Sequence, residues 1–180
     1  ENLVFQAPTQ TQVIENGGQG SFPAIMTSAP SLPTHTLFQP QNLAKFGGSD
    51  KLPIIAWGNG ACFDSPWEHV NFLNEVASHG FLVIGIGTMP KQTDTRSKSQ
   101  KLLDAIDWAI TQNSDPKSPY FQKLDINKIA VSGMSCGGLQ TLEVADDPRI
   151  TTIGVFNSGL LGNPGGGMPG MPQVTKAKLN

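Results

Sequence analysis

The chain has 180 residues, enough for one domain or most of one. Hydrophobic residues make up 38% and charged residues 14%, a balance that supports a buried core and excludes a disordered tail. The formal net charge is -2, so there is no basic footprint for nucleic acid or an anionic membrane surface. No apolar run approaches the roughly 20 residues that a membrane span needs.

Residues 1–6 (ENLVFQ) resemble the remnant of a protease-cleavage tag and are set aside, native sequence being the alternative. Residues 7–50 are rich in Pro, Gly, Thr and Gln. Short β-like runs at 22–27 and 35–39, punctuated by Pro30, Pro33 and Pro40, read as edge strands and loops leading into the domain. The core is expected over residues 51–160. Residues 52–57 (LPIIAW) form an apolar run stopped at Gly58-Asn59-Gly60, which predicts a buried strand and a turn. Ser65-Pro66-Trp67-Glu68 is a capping box with Pro at the first helical position. The helix it opens should run to about His79, with Gly80 as its stop and Trp67, Val70, Phe72, Leu73 and Val76 as its apolar face. A second apolar strand is predicted at 81–87, a helix at about 97–112, a third strand at 128–132, a helix at about 136–144 and a fourth strand at 150–157. Residues 161–180 read as an irregular Gly/Pro-rich tail. Strands alternating with helices imply βαβ units and a mostly parallel sheet, and unbroken apolar strands fit a sheet covered on both faces.

The sharpest motif is Gly133-Met134-Ser135-Cys136-Gly137, which matches G-x-S-x-G, the nucleophile elbow. Chance gives this pattern in roughly one chain in six at this glycine content, so its context carries the weight. A predicted strand precedes it and a predicted helix follows. On such a bend the Ser135 hydroxyl projects above the sheet, where free N–H groups at a helix start favour developing negative charge. A structural glycine turn is the alternative.

Trp57-Gly58-Asn59-Gly60-Ala61-Cys62 lies at the end of an earlier strand. In an α/β-hydrolase that turn supplies one oxyanion-hole N–H, and the residue after the nucleophile supplies the other. The expected pair is Asn59 N–H and Cys136 N–H. Gly60 or Ala61 could take the place of Asn59, and a simple Asn-Gly turn is the alternative. In this fold the two loops face each other, so a disulfide between Cys62 and Cys136 is expected, with two buried free thiols as the other possibility. The bridge points to an oxidising compartment.

These motifs, together with ASHGFLVIGIG and IAVSGMSCGGLQ, resemble secreted fungal α/β-hydrolases of the cutinase, polyester-hydrolase and dienelactone-hydrolase group, over about residues 50–160. The resemblance implies a three-layer α/β-hydrolase sandwich and a secreted enzyme. It also implies carboxylic ester hydrolysis through an acyl-enzyme on Ser135, with a small-molecule or polymeric ester as substrate.

That chemistry needs a general base and an acid, which follow the serine in this fold. No histidine follows Ser135. His69 and His79 fall in the first long helix and read as surface or packing residues; His35 has no readable role. Glu143, Asp146 and Asp147 fall at the end of the helix after the serine. The expectation is therefore a fragment whose C-terminal strands, with the acid and the histidine, are missing. It should be nearly inactive alone, and the missing segment is its expected partner. A non-catalytic binding protein on a hydrolase scaffold is the alternative function. Cys136 as nucleophile is disfavoured, because its side chain would not project to substrate. No metal-ligand spacing and no phosphate-binding glycine loop occurs, so no metal and no cofactor is expected.

Overall fold

The computed structural model describes residues 11–88, 93–160 and 171–175. The expectations for residues 1–6 and for most of the tail after 160 lie outside the described residues. The described chain builds one six-stranded sheet flanked by three α-helices. In chain order these are β1 (Ala24–Thr27), β2 (His35–Pro40), β3 (Leu52–Gly58), α1 (Val70–Ser78), β4 (Leu82–Ile86), α2 (Gln100–Ser114), β5 (Leu124–Met134), α3 (Cys136–Glu143) and β6 (Thr152–Phe156). The strand order is β1-β2-β4-β3-β5-β6. β3 pairs parallel with β4 and with β5, and β5 pairs parallel with β6, while β2 pairs antiparallel with both β1 and β4. The parallel part follows from the intervening helices, since parallel neighbours need a long crossover.

Side chains alternate across each strand, and the core follows that alternation. Leu52, Ile54 and Ala56 of β3 and Leu82, Ile84 and Ile86 of β4 join one buried cluster with Leu102, Ala105, Ile106 and Ala109 of α2. Trp57 of β3 and Val83 of β4 join a second cluster with Leu73 and Ala77 of α1 and Ala24 and Met26 of β1. Helices α1 and α2 therefore cover opposite faces of the sheet. Among the described residues no helix is long and apolar enough to cross a membrane.

Four sequence expectations shift. Residues 35–39 do not form an edge. β2 lies inside the sheet with all six residues buried, and β1 is the edge. The capping-box helix begins later, because Trp67–His69 is a 3₁₀ turn and α-geometry starts at Val70. Trp67 N–H donates to Ser65 Oγ at 3.2 Å, which closes the tight first turn. Its buried stripe is Leu73 and Ala77 with Asn74 and Ser78, whereas Trp67 and Phe72 are 53% and 44% exposed. Phe72 stacks on Trp57 and on Phe156 instead of entering the core. Finally, β5 starts at Leu124, four residues early. Its register breaks opposite Pro53, which has no N–H to donate to the ladder.

Candidate active site at the ends of β3 and β5

Ser135 sits between β5 and α3 with φ 53° and ψ -116°. A side chain in this conformation costs on the order of 1–3 kcal/mol and persists only when its surroundings hold it. Here Ser135 N–H donates to Phe156 O at 2.9 Å. Its own carbonyl accepts from Gly138 N and Leu139 N at 2.9 and 3.2 Å. The residue is half-buried, so the bend is fixed from both sides while the serine keeps contact with solvent.

The glycines around it permit an approach that no side chain would. A Cβ on Gly137 would stand 2.1 Å from Gly58 O and 2.7 Å from Asn59 N. One on Gly133 would stand 2.4 Å from Gly137 C and 2.8 Å from Gly58 O. The backbone at the start of α3 thus lies directly on the end of β3, with the Asn59 amide nitrogen close to Gly137 of the elbow. We expect Gly137→Ala to destabilise the fold by at least about 4 kcal/mol or to prevent folding, since backbone must yield to backbone. Urea unfolding checks this.

The turn at residues 59–62 is held in turn by several contacts. Ala61 and Cys62 have φ of 51° and 55°. The Asn59 side chain is 2% exposed, and its Nδ2 donates to Phe63 O and to Ile86 O, both at 2.8 Å. That carboxamide pins the turn to the end of β4, a role the sequence did not reveal. The Cys62–Cys136 disulfide is formed, with Cα atoms 5.1 Å apart, and both residues are buried. Cys62 O accepts from Ser97 N and Ser97 Oγ at 2.8 and 3.1 Å. Gln140 Nε2 of α3 donates to Ser97 O at 3.0 Å. The 59–62 turn, the segment before α2, and α3 therefore form one braced unit.

Cys136 opens α3, and the first N–H groups of a helix have no partner within it. Its amide and that of Asn59 flank the same bend. The structure thus brings together all four residues expected from sequence: Ser135, Cys136, Asn59 and Cys62.

None of the three histidines makes a described contact with Ser135. His35 is 1% exposed; its Nε2 bonds Lys101 O at 2.9 Å and its Nδ1 meets Thr34 Oγ1 at 3.0 Å. The carbonyl partner makes Nε2 the donor and Nδ1 the acceptor of the Thr34 hydroxyl, and burial holds its pKa below the ordinary histidine value. His69 packs edge-on against Trp57, and burial lowers its pKa also. His79 pairs with Glu75 on the surface at 3.0 Å. Of the acids after the serine, Glu143 accepts from Ser99 Oγ and Asp147 pairs with Arg149 at 2.8 Å. The Arg149 bonds hold the Asp147 carboxyl below the usual carboxylate range. Among the described residues no cluster of His, Cys, Asp and Glu is arranged to hold a metal ion.

Beside the turn, a small cavity is lined by Asn59, Gly60, Ser65, Trp67, Glu68 and His69, among others. A Cβ on Gly60 would stand 3.0 Å from Met134 Cε and 3.8 Å from Glu68 Oε2.

The chain is similar in sequence to known proteins. Cutinase est1 and Cutinase est2 of Thermobifida alba and Cutinase 2 of Thermobifida cellulosilytica are each 37% identical over 70 residues. Those matches take in 39% of this chain and between 22% and 26% of the relatives, so the chain spans about a quarter of their length. The family model described as PET hydrolase-like matches residues 46–155, which include the 59–62 turn, the elbow and β6 up to Val155. By that match the chain belongs to the PET hydrolase-like family.

Proposed function

We propose that the protein hydrolyses carboxylic esters, with Ser135 Oγ attacking the ester carbonyl and the N–H groups of Asn59 and Cys136 receiving the oxyanion. The observation that carries this reading is the strained bend at Ser135, clamped by a disulfide to a turn whose Asn59 amide nitrogen lies close to Gly137. Donors fixed before reaction stabilise the tetrahedral intermediate without reorganisation. Collapse of that intermediate expels the alcohol and leaves an acyl-enzyme on Ser135, which water then cleaves. The surrounding frame is the three-layer sandwich of α/β-hydrolases, with α1 and α2 on opposite faces of the sheet. A cutinase-type substrate, a small or polymeric ester, is the class the named relatives suggest. The buried disulfide favours a secreted protein.

The mechanism needs a base at Ser135 Oγ. None of the three histidines stands there among the described contacts. This 180-residue stretch by itself is therefore expected to turn over slowly. That same observation favours the second reading, a binding protein on a hydrolase scaffold. A fluorophosphonate probe separates the two when applied to the native protein. Covalent labelling that peptide mapping places on Ser135 supports the hydrolase. An unlabelled Ser135 in folded protein supports the binding module.

A further inference from the structure

Asparagine precedes glycine at Asn16-Gly17 and at Asn59-Gly60. A glycine in second place leaves its backbone nitrogen unshielded by a side chain, free to approach the asparagine carboxamide. Folding treats the two pairs differently. Asn16 is exposed in the 3₁₀ turn Glu15–Gly17, with φ 54°, a left-handed conformation that aspartate also accepts. Asn59 and Gly60 are both buried. Asn59 Nδ2 donates to Phe63 O and Ile86 O, both at 2.8 Å, whereas Asn59 Oδ1 is buried with no hydrogen-bond partner among the described residues. The surroundings thus take up a double donor at position 59 and offer no donor to the side chain in return.

We propose that Asn59 is a deamidation site which the fold keeps unreactive and which, once converted in an unfolded chain, stops the 59–62 turn from re-forming. In the reaction the Gly60 nitrogen attacks Asn59 Cγ, forming a C–N bond, and the Cγ–Nδ2 bond breaks. The Gly60 amide proton passes to solvent base, and Nδ2 takes a proton from water and leaves as ammonia. Water then opens the cyclic imide at one of its two carbonyls. The product is aspartate or, with the main chain rerouted through Cγ, isoaspartate. Ring closure needs the Gly60 nitrogen eclipsed with Asn59 Cβ about the Cα–C bond, and ψ 160° at Asn59 holds the two apart. Rotation there would pull against the Cys62–Cys136 bridge and the bond from Cys62 N–H to Asn59 O at 3.2 Å. Conversion is therefore confined to molecules whose turn has opened, and should be at least about 100-fold slower in the folded protein than in the unfolded chain. An aspartate at 59 would set a carboxylate oxygen against two carbonyl oxygens. Protonated, it could donate one bond where the amide donates two. Buried oxygens left unpaired oppose refolding, so unfolding that is reversible at first should become irreversible with time.

The readouts are mass and folding, so this inference can fail while the hydrolase reading stands, and the reverse. The native protein is held in urea at mildly alkaline pH with its disulfide intact, then diluted to refold. Peptide mass spectrometry of the refolded and unrefolded fractions locates the converted asparagines. Converted Asn59 is expected to be at least about tenfold enriched in the unrefolded fraction, and converted Asn16 to be equal in both. Gly60→Ala should slow conversion at 59 and raise recovery, because its Cβ shields the nitrogen. In the folded turn the atom nearest that Cβ is the flexible end of Met134, at 3.0 Å. Asn59→Asp should unfold at a lower urea concentration than Asn16→Asp, or fail to fold. Equal amounts of converted Asn59 in the two fractions overturn the inference. So does conversion of Asn59 in the folded protein as fast as in urea, or an Asn59→Asp midpoint equal to that of the unsubstituted protein.

Discussion

Replacing Ser135 with alanine is expected to lower kcat/KM for p-nitrophenyl butyrate by at least about 10⁴ in the native protein. The loss comes from removing the atom proposed to form the acyl bond, so it should appear in kcat with little change in KM. Replacing Ser135 with glycine should abolish activity equally, yet its effect on stability should differ. At φ 53° and ψ -116° a Cβ is strained, and alanine keeps the Cβ whereas glycine does not. The strain relieved is on the order of 1–3 kcal/mol. Against it stands the greater freedom of glycine in the unfolded chain, about 0.4–1 kcal/mol. Ser135→Gly should therefore be more stable than Ser135→Ala by roughly 1 kcal/mol, as a shift in the urea midpoint at unchanged slope. Equal midpoints for the two variants would show that the bend stores no strain. Substantial esterase activity in Ser135→Ala would remove Ser135 from the reaction.

Removing the disulfide is expected to lower stability strongly while leaving the proposed reacting groups in place. The bridge joins residues 74 apart in sequence. In the chain-entropy account a closed loop of that length contributes roughly 4 kcal/mol, by restricting the unfolded chain. A Cys62→Ala/Cys136→Ala double variant should lose about that much, measured by urea unfolding under non-reducing conditions. The substitution keeps the Cys136 backbone N–H, so an oxyanion donor is loosened but not deleted. We expect kcat to fall about tenfold, less than the 10²–10³ typical of losing a donor outright. The hydrogen bonds from Ser97 to Cys62 O, and from Gln140 to Ser97 O, should hold part of the geometry. An unchanged midpoint would mean that these bonds alone fix the turn. An unchanged kcat would mean that the turn needs no clamp for catalysis. Both sulfur-bearing residues are 2% exposed or less, so reductant without denaturant should act slowly.

Much of this protein was legible in its residues, because the governing physics is local. Apolar runs marked β3, β4 and β6, with a glycine stop after β3 and glycines at both ends of β4. Gly80, with φ 91°, ended α1 where a left-handed residue was needed. The elbow announced itself because glycine alone fits at 133 and 137, where backbone meets backbone. The disulfide followed from the places of two cysteines in motifs that this fold brings face to face.

The rest was settled by neighbours far away in sequence. Nothing local distinguishes β2 as an interior strand, since that depends on β4 pairing beside it. Phe72 looked like a core residue by helical spacing, yet Trp57 and Phe156 of distant strands draw its ring aside. The Asn59 carboxamide appeared to be turn chemistry, but its anchor to Ile86 O exists only once β3 and β4 lie side by side. Sequence by itself determined which residue types bear the chemistry and where the backbone must bend, because sterics and hydrophobic spacing act over a few residues. Only the tertiary structure decided which backbone lies against the elbow and how the 59–62 turn is braced, because both depend on the packing of strands and helices far apart in the chain.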